Sequence, residues 1–168
     1  MTKQLLLVRH AQAEAENNVQ KDFERELNTT GYADASRMGK YLAGKSICLD
    51  AVFSSPAHRA YTTSQLLTEQ LGFNFDSIGF DNDIYETSVR KLMRLINGLH
   101  EKLATVMIVG HNPHLTYLAE FLTHEEIGNI PTCGVVAITF DGLPWEAISD
   151  ATGKVAWFDF PEKFRNGQ

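Results

Sequence analysis

The 168-residue sequence has only two cysteines, Cys48 and Cys133. They lie far apart and lack Cys-x-x-Cys spacing, which argues against a disulfide framework or a cysteine metal site and predicts two buried thiols in a reducing compartment. Long apolar runs are missing as well. The run near the N-terminus, Leu5–Val8, is too short for a signal-peptide core or a membrane span, so a cytoplasmic protein without a membrane role is expected. An excess of basic charge is lacking too: the net charge is −6, which disfavours nucleic acid or an acidic lipid surface as partner but still permits a local basic pocket. No Ser/Gly/Pro-rich stretch, repeat or low-complexity segment divides the chain, and one domain over 1–168 is expected. With 43% hydrophobic and 21% charged residues, the composition supports a core that needs no staples.

What is present is an alternation of strand and helix signals. Residues 4–8 read as a strand, followed by a polar segment. Asn28 then introduces a helix carrying Tyr32, Ala35, Met38 and Leu42 at helical spacing, with Gly44 as its stop. A strand over 49–53 precedes a helix to Leu71 that ends at Gly72. Short extended pieces are expected between Phe73 and Tyr85, a helix over 87–103, an apolar strand over 105–109, and a helix from Pro113 to Leu122. Cys133–Phe140, Trp145–Ile148 and Val155–Phe158 read as strands, with Asp141-Gly142 as a turn. This order predicts an α/β fold: a mainly parallel sheet, helices on both faces, and an antiparallel addition at one edge.

Two apolar runs end on a histidine, Leu5–His10 and Val106–His111. In an open α/β sheet, ligands bind beyond the carboxyl ends of the strands, so both imidazoles are expected at one crevice. Ser54-Ser55-Pro56-Ala57-His58-Arg59 and Gly110-His111-Asn112-Pro113 each read as strand, turn and helix. Ser55 or Asn112 would cap, with proline at the first helical position, and the unpaired N–H groups there favour an anion. A lone histidine at a strand end is more often structural. Arg9, His10, Arg59 and His111 together, however, make a pocket for a dianion, of which phosphate is the first choice. Arginine forks would hold phosphoryl oxygens while an imidazole nitrogen attacks phosphorus in line. His10 is the better nucleophile candidate, with a pKa lowered by the arginines, and His111 would steady the equatorial oxygens. Spacing alone does not decide which ring attacks.

Metal binding is the competing reading, since His111 and His114 sit three apart and His10 and His58 could lie near. The arginine beside each proposed ligand would repel a divalent cation, and no carboxylate cluster completes a site. No metal is therefore expected. His58, His100, His114 and His124 read as surface or helix residues. Glu86, at a helix entrance, is the candidate general acid and reads equally as a favourable charge at a first turn. An alkoxide leaving group would need that proton more than an imidazole leaving a phosphoramidate. Gln12, Asn17, Asn18 and Arg25 could reach substrate or lie in solvated loop.

Leu7-Val8-Arg9-His10-Ala11, Ser54–Ala60 and Val109-Gly110-His111-Asn112-Pro113 together resemble the histidine phosphatase superfamily, and within it the compact bacterial phosphohistidine phosphatases of the SixA-like group. The Leu27–Gly31 helix entry, the Tyr85 region and Trp157–Pro161 are similar to that group too. The resemblance implies a three-layer α/β/α sandwich of the phosphoglycerate mutase-like type, with a mostly parallel sheet and an antiparallel edge strand. It implies His10 as the nucleophile that becomes phosphorylated, Arg9, Arg59 and His111 as phosphoryl ligands, and no metal or cofactor. Larger relatives carry a Glu-containing segment and insertions over the pocket. Glu86 falls in the comparable region, but its surroundings depart from the mutase pattern.

The leading expectation is a phosphohydrolase working through phospho-His10 on a phosphorylated protein partner of the histidine-phosphotransfer type. A phosphatase for a small phosphorylated metabolite is the second reading, and a non-catalytic phosphate-recognition module the third. The sequence leaves oligomeric state open.

Overall fold

A computed structural model describes residues 1–165. Six strands, β1 (Thr2–Arg9), β2 (Ala51–Ser54), β3 (Gly79–Phe80), β4 (Thr105–Gly110), β5 (Val135–Asp141) and β6 (Lys154–Asp159), form one sheet in the order β3-β2-β4-β1-β5-β6. β3, β2, β4 and β1 pair in parallel. β5 runs against both β1 and β6, so antiparallel pairing enters at one margin, as expected, with β6 outermost.

The strands read as unbroken apolar runs because both faces of the sheet are covered. Side chains alternate between faces, so Leu5 and Leu7 of β1 join one core with Val106 and Ile108, while Leu6 and Val8 join the other with Met107 and Val109. Helices α1 (Thr29–Gly44) and α2 (His58–Leu71) close the second core through Ala35, Met38, Leu42, Ala60 and Leu67. A short α3 (Asn82–Tyr85), α4 (Val89–Asn97) and α5 (His114–Thr123) lie over the first core, and α6 (Glu162–Arg165) ends the described chain. Asn28 caps α1 by accepting from Gly31 N, and Gly72 ends α2 in the left-handed conformation. No helix of the described residues is long and apolar enough to cross a membrane.

Five local expectations are corrected. The helix expected over 87–103 is the shorter α4, which Ser88 caps and which stops at Asn97 before Gly98, while α3 lies in the Phe73–Tyr85 stretch where extended pieces were expected. Asn97 Nδ2 donates to the carbonyls of Trp145 and Ile148, so tertiary contacts end the helix although Leu99 continues the apolar period. The strand expected at Trp145–Ile148 is a 3-10 turn over Trp145–Ala147. There the fully buried indole donates Nε1–H to Leu103 O at 2.7 Å, so its apolar character serves packing rather than a ladder. Helices α2 and α5 start one or two residues after Pro56 and Pro113, with Ser55 Oγ accepting from Ala57 N and Asn112 Oδ1 from Thr116 N. Cys48 is exposed, whereas Cys133 is buried as expected.

Candidate active site

The parallel ladder puts the ends of β1, β2 and β4 at one level: Arg9 pairs with Gly110, and Ser54 with Val109. The next residues stay tied to that ladder through His10 N donating to Gly110 O and Ser55 N to Val109 O, both at 3.0 Å. His10, Ser55 and His111 therefore leave the sheet side by side. The chain departs from β1 toward the α1–α2 face and from β4 toward the α5 face, so the crevice opens between two neighbouring strands whose helices diverge. Arg59, on the first turn of α2, closes it from the side.

This crevice is a cavity of about 590 Å³ lined by Arg9, His10, Gln12, Ala13, Asp22, Arg25, Arg59, Tyr85, Glu86, His111, Asn112 and Thr132. Its floor is buried at His10 and Arg59, and its rim is exposed at Gln12, Asp22 and Glu86. The His10 and His111 rings lie 5.1 Å apart, centroid to centroid. Seven of the nine residues singled out from sequence thus meet here, Arg9, His10, Gln12, Arg25, Arg59, Glu86 and His111; Asn18 does not line the cavity. Asn17 does not line the cavity; its Oδ1 accepts from Val19 N and Gln20 N and shapes an exposed turn.

His10 Nδ1 lies 2.7 Å from Ala11 O. A carbonyl only accepts, so Nδ1 carries the proton, and in the neutral ring Nε2 keeps its lone pair. Neutrality is enforced chiefly by burial, then by His111, Arg59 and Arg9, which together lower the His10 pKa to about 3. Burial outweighs the arginine charges that the sequence brought to mind. His111 is held down to about 4, again first by burial and then by Arg59, with Asp22 acting in the opposite sense. Its Nε2 is 2.8 Å from Ser55 Oγ, a hydroxyl that can serve either tautomer.

Arg9 Nη1 donates to Ile130 O at 3.0 Å, and Arg59 donates from Nη1 to Asp22 O at 2.7 Å and from Nη2 to Asp22 Oδ2 at 3.0 Å. Arg9 Nε, Arg59 Nε and His111 Nδ1 are buried with no hydrogen-bond partner among the described residues. Buried polar groups are ordinarily paired, so three unpaired nitrogens around two guanidiniums mark a place for an acceptor-rich ligand. Asp22, Tyr85 and Ser55's bond to His111 were missed by sequence reasoning. The only available hint of Asp22 was its spacing, three residues before Arg25. Among the described residues, no group of three or more His, Cys, Asp or Glu side chains is arranged to hold a metal ion.

The sequence profile of the histidine phosphatase superfamily (branch 1) matches residues 5–102. The chain is 25% identical over 165 residues, 94% of its length and 75% of the relative's, to an uncharacterized chloroplastic protein of Arabidopsis thaliana. Its fold is similar to that of the protein histidine phosphatase SixA complexed with tungstate, with a TM-score of 0.83, 23% identity, and coverage of 96% of this chain and 99% of that one. It is also similar to a mycobacterial glucosyl-3-phosphoglycerate phosphatase, with a TM-score of 0.67, 15% identity, and coverage of 93% and 98%.

Proposed function

Since the chain belongs to the histidine phosphatase superfamily, we propose that this metal-independent phosphatase works through a phosphorylated His10 and takes phosphohistidine on a partner protein as its substrate. The observation that carries the mechanism is the 2.7 Å contact of His10 Nδ1 with Ala11 O, which assigns the proton to Nδ1 and leaves Nε2 its lone pair in a cavity that Arg9 and Arg59 also line. The Nε2–P bond forms as the P–N bond to the substrate imidazole breaks, and that imidazole leaves neutral, keeping the proton already on its other ring nitrogen. Water then attacks phosphorus, the P–Nε2 bond breaks, and inorganic phosphate leaves His10 with its lone pair restored. Arg9 and Arg59 hold the equatorial oxygens in both steps, and His111 supplies a further contact to them.

One observation and one chemical argument support phosphohistidine on a protein as substrate. The cavity has a buried floor and an exposed rim, and phosphohistidine needs less acid assistance than an ester. The similarity in fold to SixA, whose name describes a protein histidine phosphatase, agrees with this reading. Glu86 at the rim favours a second reading, hydrolysis of a small phosphomonoester, because a carboxyl there could protonate an alkoxide. The fold of the glucosyl-3-phosphoglycerate phosphatase fits that reading.

The test is rapid quenching without acid after mixing with a labelled phosphodonor, followed by mapping of the labelled residue. Label on His10, and loss of several powers of ten in rate in His10→Ala, is expected. Undiminished turnover by His10→Ala refutes the mechanism. Tight phosphate binding without turnover of any phosphoramidate or ester would make the chain a recognition module instead.

A further inference from the structure

We propose that Asp22 is a positioning residue for phosphoryl binding that acts through Arg59, an inference that rests on the functional reading above. Arginine is long and flexible, and its value to a phosphoryl group depends on where its planar fork is held. Here a single residue grips both ends of that fork, with Asp22 O accepting from Nη1 at 2.7 Å and Asp22 Oδ2 from Nη2 at 3.0 Å. The guanidinium is thus fixed in plane and in rotation by one point of the chain.

The carboxylate is itself braced. Tyr85 OH donates to the same Oδ2 at 2.8 Å, and Arg25 Nε donates to Oδ1 at 3.1 Å while its Nη1 reaches Glu14 O at 2.9 Å. The Tyr85 ring lies 5.2 Å from Phe23 and 5.6 Å from His111, centroid to centroid. One chain of contacts therefore runs from the His111 wall through Tyr85 and Asp22 to Arg59. These donors outweigh the cost of partial burial and hold the Asp22 pKa down to about 2, so the brace stays ionised at neutral pH.

A carboxylate inside a phosphate pocket could be expected to compete with the anion, and two features argue otherwise. A guanidinium has five N–H donors, of which Asp22 takes two, leaving three that include the buried, unpartnered Nε–H. Arg25, on the second carboxylate oxygen, balances the charge of Asp22 and leaves that of Arg59 for the phosphoryl group.

The experiment measures inorganic phosphate binding by calorimetry and steady-state hydrolysis of phosphoramidate for the wild type, Asp22→Ala, Asp22→Asn and Tyr85→Phe. Asp22 is on an exposed segment, and Tyr85→Phe removes only a hydroxyl, so the folded state is retained in at least one arm. Asp22→Ala is expected to weaken phosphate binding about tenfold and to raise KM in parallel, with a smaller fall in kcat. Both Asp22 variants keep the main-chain oxygen of residue 22; Asp22→Asn, which also keeps a neutral side-chain acceptor, is expected to recover most of the loss, and Tyr85→Phe to show about a threefold weakening. Tighter phosphate binding by Asp22→Ala would identify a competing carboxylate and overturn the proposal, as would an Asn variant no better than Ala, or no change in any variant. A wild type that neither binds phosphate nor hydrolyses phosphoramidate removes the functional reading and this inference with it. An active wild type matched by Asp22→Ala removes the inference alone.

Discussion

Acidification from pH 7 to pH 5 should destabilise this protein through His10 and His111 specifically. Both rings have folded-state pKa values, about 3 and about 4, below that of a free histidine. Protons therefore bind the unfolded chain first. The stabilising contribution is complete above the unfolded pKa near 6.5 and is lost as pH falls toward the folded values. Between pH 7 and pH 5 the unfolded rings fill while the folded rings stay nearly empty, which costs about 2 kcal/mol per ring, or about 4 kcal/mol for the pair. That is a large share of the roughly 5–15 kcal/mol typical of a domain. Urea unfolding of the wild type and of a His10→Gln/His111→Gln double variant at both pH values isolates the effect, because all other titrating groups are shared. The wild type should lose about 4 kcal/mol more than the double variant, and saturating phosphate should shrink that gap, since a bound dianion raises both imidazole pKa values. A gap below about 1 kcal/mol, or an NMR titration of either ring centred near pH 6.5 in the free protein, would refute the reasoning.

Glu86→Gln is expected to reduce hydrolysis of an alkyl phosphate by about 10²–10⁴ while sparing phosphohistidine, because only the alkoxide requires the proton. Equal effects on both substrates, measured as kcat/KM, would remove Glu86 as the acid. Gly31→Ala tests the packing of α1 against the strand exit: a Cβ at position 31 would lie 2.0 Å from the carbonyl oxygen of Gln12, which lines the pocket. Helix propensity alone would stabilise this variant by up to about 1 kcal/mol. The backbone clash should dominate, giving a net loss of about 1–3 kcal/mol in urea unfolding together with weaker phosphate binding.

The parts of this fold that were legible in the sequence are those that report burial or backbone punctuation. Leu5–Val8 and Val106–Val109 read as strands because both faces of the sheet are covered, and Asn28 and Gly72 marked helix ends through capping chemistry. The four residues Arg9, His10, Arg59 and His111 were visible because parallel strands deliver their ends to one edge, which makes sequence position a guide to place. Trp145 and Leu99 misled for a shared reason. Apolar periodicity records that a side chain is buried, not whether a ladder, a turn or a neighbouring carbonyl satisfies the backbone around it. Asp22 left no trace beyond its spacing to Arg25, on other grounds: it lies in a solvated segment with no periodicity, and its role depends on Arg59 and Tyr85, 37 and 63 residues away.

His10 and Ser55 are tethered by main-chain bonds to the sheet and His111 directly follows β4, whereas Asp22, Arg25 and Tyr85 reach the cavity from the connecting segments around it. The two imidazoles and the brace on Arg59 therefore have separate anchors. Positions of the connecting segments outside the Asp22–Arg25–Tyr85 brace can be rewritten, by substitution or insertion, to admit a different phosphorylated molecule while His10 stays where the strand ladder puts it.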